Sequence, residues 1–244
     1  MTRLRLSVGQ ELGLLRELGF EDAYPPRRTQ GVREGADDRS GRLHAATEGV
    51  REEAGDRSVR LQAVAVEAQS CTACRLCEQR NTVVFGDGDA NADLMFVGEG
   101  PGYNEDRQGL PFVGRAGQLL NRIIRAIDLR REDVYITNVV KCRPPNNRDP
   151  QPDETAACRS FLDRQVELIE PRVVVALGRV AAQQLLQTRD SLGRLRGRWH
   201  EVGGVPVRVT YHPAFLLRDP SYKRAAWEDM QLVRDRLLDT AEDG

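Results

Sequence analysis

The chain has no run of about 18 apolar residues, and its N-terminus lacks the basic, apolar and small-residue succession of a secretory signal. A membrane span is therefore not expected, and a cytoplasmic location is. A strong charge of one sign is also missing: 36 basic residues stand against 37 acidic ones, so bulk charge alone does not point to nucleic acid or to a membrane surface. Lysine is nearly absent, with only Lys141 and Lys223, which reads as coding bias in favour of arginine. Aromatics are few, and histidine occurs only at positions 44, 200 and 212. Five cysteines, an odd number, argue against a closed disulfide framework; in a reducing compartment, clustered cysteines point to a metal site instead.

What is present divides the chain by composition. Residues 1–60 are expected to be a low-complexity, partly disordered extension, and residues 61–244 a globular domain. Within the extension GVREGADDRSGRLHA, at 31–45, recurs 18 residues later as GVREEAGDRSVRLQA, with 11 of 15 positions identical. Two copies are too few for a solenoid, and their charge and lack of aromatics suit a solvated, partly helical segment. Upstream, Leu12, Leu15, Leu18 and Phe20 have near-helical spacing before Pro25 and Pro26.

From Leu61 on, short apolar runs alternate with helical patterns. Residues 94–97, 134–137, 173–177 and 205–210 read as strands. Leu119, Leu120, Ile123, Ile124 and Ile127 share a helical face, Pro152, Asp153 and Glu154 open a second helix, and residues 224–238 close with a third. This order predicts an α/β fold of three layers, α/β/α, around a central, mainly parallel four-stranded sheet. Ligands in such folds bind beyond the carboxyl ends of the strands, which directs attention to the segments after Val97, Thr137 and Thr210.

The first of these, GEGPGYNED, has three glycines that let backbone approach a ligand. A dinucleotide loop is the obvious comparison, but Pro101 removes a donor and three carboxylates crowd the place of a pyrophosphate. The second carries Asn138, either a turn residue or a carboxamide offering a donor and an acceptor to a pyrimidine edge. The third, YHPAFLLR, carries His212, a loop cap or a catalytic imidazole. Its Phe215, Leu216 and Leu217 read as core or as a wedge against a base stack. Residues 194–224 hold seven basic side chains against Glu201 and Asp219, a candidate phosphate-facing surface.

Three cysteines lie in CTACRLC, at Cys71, Cys74 and Cys77, and two more at Cys142 and Cys158. Zinc knuckles usually bring their second pair at close spacing; thiolates from separated segments suit an iron–sulfur cluster equally or better.

The stretches CTACRLC, FGDGDANADLMFVGEGPGYNEDRQGLPFVGRAGQLLNRI, YITNVVKCRPPNNRDPQPDE, PRVVVALG and YHPAFLLR, in this order, resemble a family 4 uracil-DNA glycosylase of the iron–sulfur type. The likeness runs from about Gln62 to the last helix. It implies the uracil-DNA glycosylase fold and a 4Fe-4S cluster held by Cys71, Cys74, Cys142 and Cys158, with Cys77 outside the set. It places a uracil pocket at Glu99, Gly100, Pro101, Glu105, Phe112, Asn138 and His212, with Phe112 stacking and Glu105 crowding the C5 side against thymine. Other glycosylase families give that last task to a Tyr where Gly102 stands here.

By this resemblance the catalytic residues are Glu99, Asn138 and His212, and Leu216 and Arg218 meet DNA. The expected activity is monofunctional hydrolysis of the N-glycosidic bond of deoxyuridine in single- or double-stranded DNA, by a monomer, in base excision repair. The alternative is a non-catalytic or covalent uracil-DNA-binding protein of the same superfamily. The covalent type uses a His in a basic insertion, and the corresponding residues here, RPPNNR at 143–148, contain none.

Overall fold

The structure is a computed structural model that describes residues 44–239, with side chains from Asp56 onward. The apolar pattern at 10–20 and nearly all of the first repeat copy lie outside these residues. The second copy falls within helix α1, His44–Gln69, which continues through residue 60 without a break. Leu61, Val64 and Ala68, three and four residues apart, are its buried stripe. Arg57 extends the attachment by donating to the Ile169 carbonyl at 3.3 Å and pairing with Glu170.

Six strands form one sheet: β1 Asp87–Gly88, β2 Leu94–Gly98, β3 Tyr135–Asn138, β4 Val173–Leu177, β5 Trp199–Val202 and β6 Val205–Thr210, in the order β1-β3-β2-β4-β6-β5. The four expected strands are its parallel centre, and β1 and β5 add antiparallel edges. All residues of β2, β3 and β4 are buried, because helices cover both faces. Alternation divides them between two cores. Met95, Val97, Val174 and Ala176 face α1, α4 (Pro152–Ile169) and α5 (Arg179–Leu186). Leu94, Phe96, Val175 and Leu177 face α3 (Arg115–Ala126) and α8 (Lys223–Asp239). The remaining short helices are α2 Tyr103–Gln108, α6 Leu192–Leu195 and α7 Pro213–Arg218.

Helix α8 is fastened by Asp229, 1 % exposed, which accepts from Arg196 at 2.6 Å and from Arg208 at 2.7 Å. Two of the seven basic residues in 194–224 are therefore turned inward to neutralise a buried carboxylate. Of the other five, Lys223 is partly buried, and the phosphate-facing surface reduces to Arg194, Arg198, Arg218 and Arg224, which are exposed. Among the described residues no helix is long and apolar enough to cross a membrane.

Candidate active site

Parallel pairing sets Gly98 beside Asn138, and it continues past the strand ends, where Val139 N donates to Gly98 O at 2.9 Å and Val140 N to Glu99 O at 3.2 Å. The loops carrying Glu99 and Asn138 therefore leave the sheet together. A methyl group at Gly98 would stand 2.6 Å from Phe112 Cζ and against Asn138 Oδ1, so the ring and the carboxamide converge above this glycine. From the other side, His212 follows β6 and packs on Gly178, whose φ of +89° and lack of a side chain admit the His212 Cβ. The Phe112 and His212 rings stand 5.6 Å apart and are tilted by 32°. Phe112, Asn138 and His212 thus enclose one slot over the ends of β2, β3 and β6.

Phe112 holds φ at +52°, a left-handed conformation that costs a non-glycine residue of order 1 kcal/mol. Two side chains enforce it. Glu105 Oε1 accepts from Val113 N at 2.9 Å and Gly114 N at 3.0 Å, just after the ring. Arg131 donates to the carbonyls of Pro111 at 2.6 Å and Phe112 at 3.3 Å, to Asn121 Oδ1 at 3.1 Å, and pairs with Asp87 at 3.2 Å. Glu105 Oε2 lies 2.8 Å from where a Gly102 side chain would begin, so it fills the space a larger residue at 102 would claim. Arg131 was not singled out by the sequence, where it is one arginine among many.

The polar atoms of the slot are prepared for a ligand. Asn138 is 1 % exposed and its Oδ1 has no hydrogen-bond partner, an expensive state for a buried acceptor unless a donor arrives. His212 Nδ1 accepts from Ala214 N at 3.1 Å, which leaves the proton of the neutral ring on Nε2. Burial first, then the Arg218 charge, lower His212 to about 4 against a weaker upward pull from Glu105; the ring is a neutral donor at pH 7. Glu99 is raised to about 7, by burial and then by the Asp149 carboxylate, with Arg179 opposing. Asp149, in the loop before α4, pairs with Arg179 at the start of α5, and these are the two charges that act on Glu99. Gly100 and Pro101 complete the loop between Glu99 and α2, with Gly100 against Val140 and Pro144.

The expected DNA contacts fare differently. Arg218 is exposed, as a phosphate contact requires. Leu216 is corrected: it is 1 % exposed and belongs to the core beside Leu119, Ala226, Trp227 and Met230. The reason is local, since His212 caps α7 and the helical turn then points residue 216 inward. The half-buried Phe215 instead stacks on Tyr211 at 5.4 Å and meets Tyr222 at 5.1 Å.

Cys71, Cys74, Cys142 and Cys158 line one cavity of about 310 Å³, its mouth included, together with Cys77, Arg80, Lys141 and Phe161. The structure therefore gathers all five cysteines, which lie up to 87 positions apart in the chain. Among the described residues no three His, Cys, Asp or Glu side chains are placed to share a single metal ion. The donor set suits a larger, sulfur-ligated group: Arg80 donates to Cys142 Sγ at 3.3 Å and Lys141 N to Cys158 Sγ at 3.4 Å, contacts that stabilise coordinated thiolates. As free thiols they are disfavoured as anions, burial pushing Cys142 up to about 11 and raising Cys74 and Cys158.

A family model described as "Uracil DNA glycosylase superfamily" matches residues 85–231. The type-4 uracil-DNA glycosylase of Thermotoga maritima is 48 % identical over 177 residues, covering 70 % of this chain and 91 % of that protein. That of Saccharolobus solfataricus is 44 % identical over 183 residues, covering 71 % and 85 %. A type-5 uracil-DNA glycosylase from Thermus thermophilus is 35 % identical over 184 residues, covering 59 % and 84 %.

Proposed function

The chain belongs to the uracil DNA glycosylase superfamily and to its type-4 members, and from this we propose how its own residues carry the reaction. It is a uracil-DNA glycosylase, a hydrolase that cuts the N-glycosidic bond of deoxyuridine in DNA repair. The bond is unreachable inside a base stack, so the nucleotide is extruded at a cost of a few kcal/mol. In the slot the base stacks on Phe112. Asn138 Oδ1 accepts from uracil N3–H and its amide group donates to O4, while His212 Nε2–H donates to O2. As the bond to N1 breaks, its electron pair moves onto the uracil ring. The two donors meet that negative charge in a site with little water, the logic of an oxyanion hole.

Glu99 faces the sugar side. At neutral pH a substantial fraction is ionised, and its carboxylate orients the water that adds to C1′ and balances the positive charge developing there. Glu105 crowds the C5 position against thymine. A lysine imine has no support: Lys141 is 1 % exposed and its Nζ donates to Thr137 Oγ1, Asn138 O and Gln165 Oε1 at 2.5 to 2.7 Å. Lys223 lies at the start of α8, on the apolar cavity beside Leu119 and Leu216. Cys71, Cys74, Cys142 and Cys158 would hold the 4Fe-4S cluster, which when bound supplies a structural tie between the end of α1, the loop after β3 and α4. Arg218 meets phosphate.

The observation that carries this reading is the unpartnered acceptor of Asn138 facing the Phe112 ring. Its test is release of free uracil from a uracil-containing oligonucleotide. Glu99→Gln and His212→Ala should each lose most of it while keeping the visible absorbance of the cluster. Wild-type release by both variants would sink the assignment, and a denaturant-resistant DNA adduct would favour a covalent binder.

A further inference from the structure

Among the described residues two cations are buried, Arg208 and Lys141. Arg208 is neutralised by Asp229 at 2.7 Å, whereas Lys141 Nζ donates to three neutral oxygens: Thr137 Oγ1 and the Asn138 carbonyl, each at 2.7 Å, and Gln165 Oε1 at 2.5 Å. Each of these oxygens is turned to accept. Thr137 Oγ1 directs its own proton to the Phe85 carbonyl at 2.7 Å, and Gln165 Nε2 donates to Phe85 O at 2.9 Å and to the Tyr135 hydroxyl at 3.2 Å, which aims Oε1 at the lysine. Three acceptors require three N–H donors, so the group is an ammonium. Burial opposes that charge and lowers it to about 7, and the Cys158 thiolate supports it.

Of the three acceptors, the Asn138 carbonyl bears on the pocket. Val139 N, in the same trans peptide group, donates to Gly98 O at 2.9 Å, so the carbonyl points away from β2. On that far side β1 pairs with β3 only at Tyr135 and Ile136 and has already ended. Lys141 therefore supplies the bond that a neighbouring strand would have made, and the peptide is held from both sides. From the Cα beside this peptide projects the carboxamide whose Oδ1 stands unpartnered next to Phe112. The main chain of Lys141 is anchored in turn, since its N donates to Cys158 Sγ at 3.4 Å and its O accepts from Val84 N at 2.8 Å. One residue thus reaches from the wall of the cysteine cavity to the floor of the uracil slot.

We infer that Lys141 is a positioning residue for excision: its buried ammonium fixes the Asn138 peptide and, through it, the carboxamide that meets the uracil edge. The inference rests on the role proposed for Asn138. Without the ammonium the Asn138 carbonyl is a buried acceptor with no donor, and the peptide turns to find one. The carboxamide moves with it. Lys141→Met keeps the length of the side chain and removes its donors, so it should lower single-turnover uracil release about 10- to 100-fold, the effect of a displacement approaching 1 Å in a reacting geometry. That loss passes only through the carboxamide. Once Asn138→Ala has been made, adding Lys141→Met should change release by less than about threefold, as coupled positions do, whereas a lysine that merely held the fold together would cost the same factor in both backgrounds. Gln165→Met takes away a partner of the ammonium that leaves the Asn138 carbonyl bonded; it should lower the thermal midpoint and keep release within about threefold of wild type.

The experiment is single-turnover uracil release from an oligonucleotide by the cluster-loaded full chain and by Lys141→Met, Asn138→Ala, the double variant and Gln165→Met. Two further readouts accompany the rates: the iron-to-protein ratio, and the affinity for DNA carrying an uncleavable deoxyuridine analogue relative to DNA carrying an abasic analogue. A slow Lys141→Met that keeps its iron, loses most of its preference for the uracil analogue and adds nothing to Asn138→Ala supports the inference. Wild-type release by Lys141→Met overturns it, as does an equal fold-loss in both backgrounds or a loss in Gln165→Met as large as that in Lys141→Met. Should Lys141→Met lose its iron, Lys141→Arg, which keeps the charge and shifts the donors, goes through the same cycle and the same outcomes decide. Wild-type release by Asn138→Ala would instead overturn the role of Asn138 itself, so the two failures are distinguishable.

Discussion

Replacing Gly98 by alanine tests the slot with one methyl group. The backbone at Gly98 is not in the left-handed region, so alanine fits the chain itself and the effect is purely one of space. The new carbon would lie 2.6 Å from Phe112 Cζ, whereas ordinary contact begins at 3.4 Å, so the ring must retreat by about 0.8 Å. It cannot do so freely, because Glu105 and Arg131 fix the backbone on both sides of it. Overpacking of this kind costs about 1 to 3 kcal/mol of stability. A misplacement approaching 1 Å in a reacting geometry costs about 10²-fold in rate, or roughly 2.7 kcal/mol of transition-state stabilisation. Gly98→Ala should therefore lower single-turnover uracil release about 100-fold while the thermal midpoint falls by several degrees. Gly193→Ala is the control, since a methyl there meets nothing within 4 Å, and it should excise at the wild-type rate. Wild-type release by Gly98→Ala would refute the placement of Phe112 and Asn138 as walls of the uracil slot.

Arg131→Ala should free the Phe112 loop, lowering excision about tenfold and stability by about 2 to 3 kcal/mol; Arg131→Lys should not restore it, because a point charge cannot reach two carbonyls, an amide and Asp87 together. Denaturant titrations with each variant check this. The neutral His212 should make wild type lose stability on acidification: below about 6.5 the unfolded chain takes up a proton that the folded site, at about 4, refuses. The loss is of order 3 kcal/mol by pH 4, with no contribution above 6.5, and unfolding of His212→Gln from pH 7 to 4.5 should show a correspondingly flatter dependence. Cys158→Ser should lose iron and visible absorbance, and Cys77→Ser should keep both; the iron-to-protein ratio of the purified variants decides, and loss of iron from Cys77→Ser would enlarge the ligand set.

Strands β2 and β4 were legible because burial on both faces writes an uninterrupted apolar run; Glu99 followed as the end of β2, and Asn138 and His212 as the ends of β3 and β6. Strand β5, Trp199–Val202, was not legible: it is an edge paired on one side, its residues are only partly buried, and its sequence WHEV has no apolar period. The two residues of β1 are too few to carry any period. Arg131 and Asp149 escaped for another reason, since their charged partners lie 44 and 30 positions away, and no local pattern encodes an ion pair of that span. Leu216 shows the reverse error. An apolar triplet beside His212 is compatible with a wedge or with core, and only the turn of a six-residue helix decides which side chain faces in.

The walls of the slot come from separate strand ends: Gly98 closing β2 with Glu99 after it, Asn138 closing β3, Gly178 after β4 and His212 after β6. Such pairings close late, because distant segments must meet before any of them is rewarded. Strand β6 is the last parallel strand to leave the ribosome, and the imidazole arrives with it. A nascent or truncated chain ending before residue 205 would lack the donor proposed for uracil O2, however well its earlier strands had paired. The site therefore depends on the whole parallel centre of the sheet, and no shorter run of consecutive strands carries all of its walls.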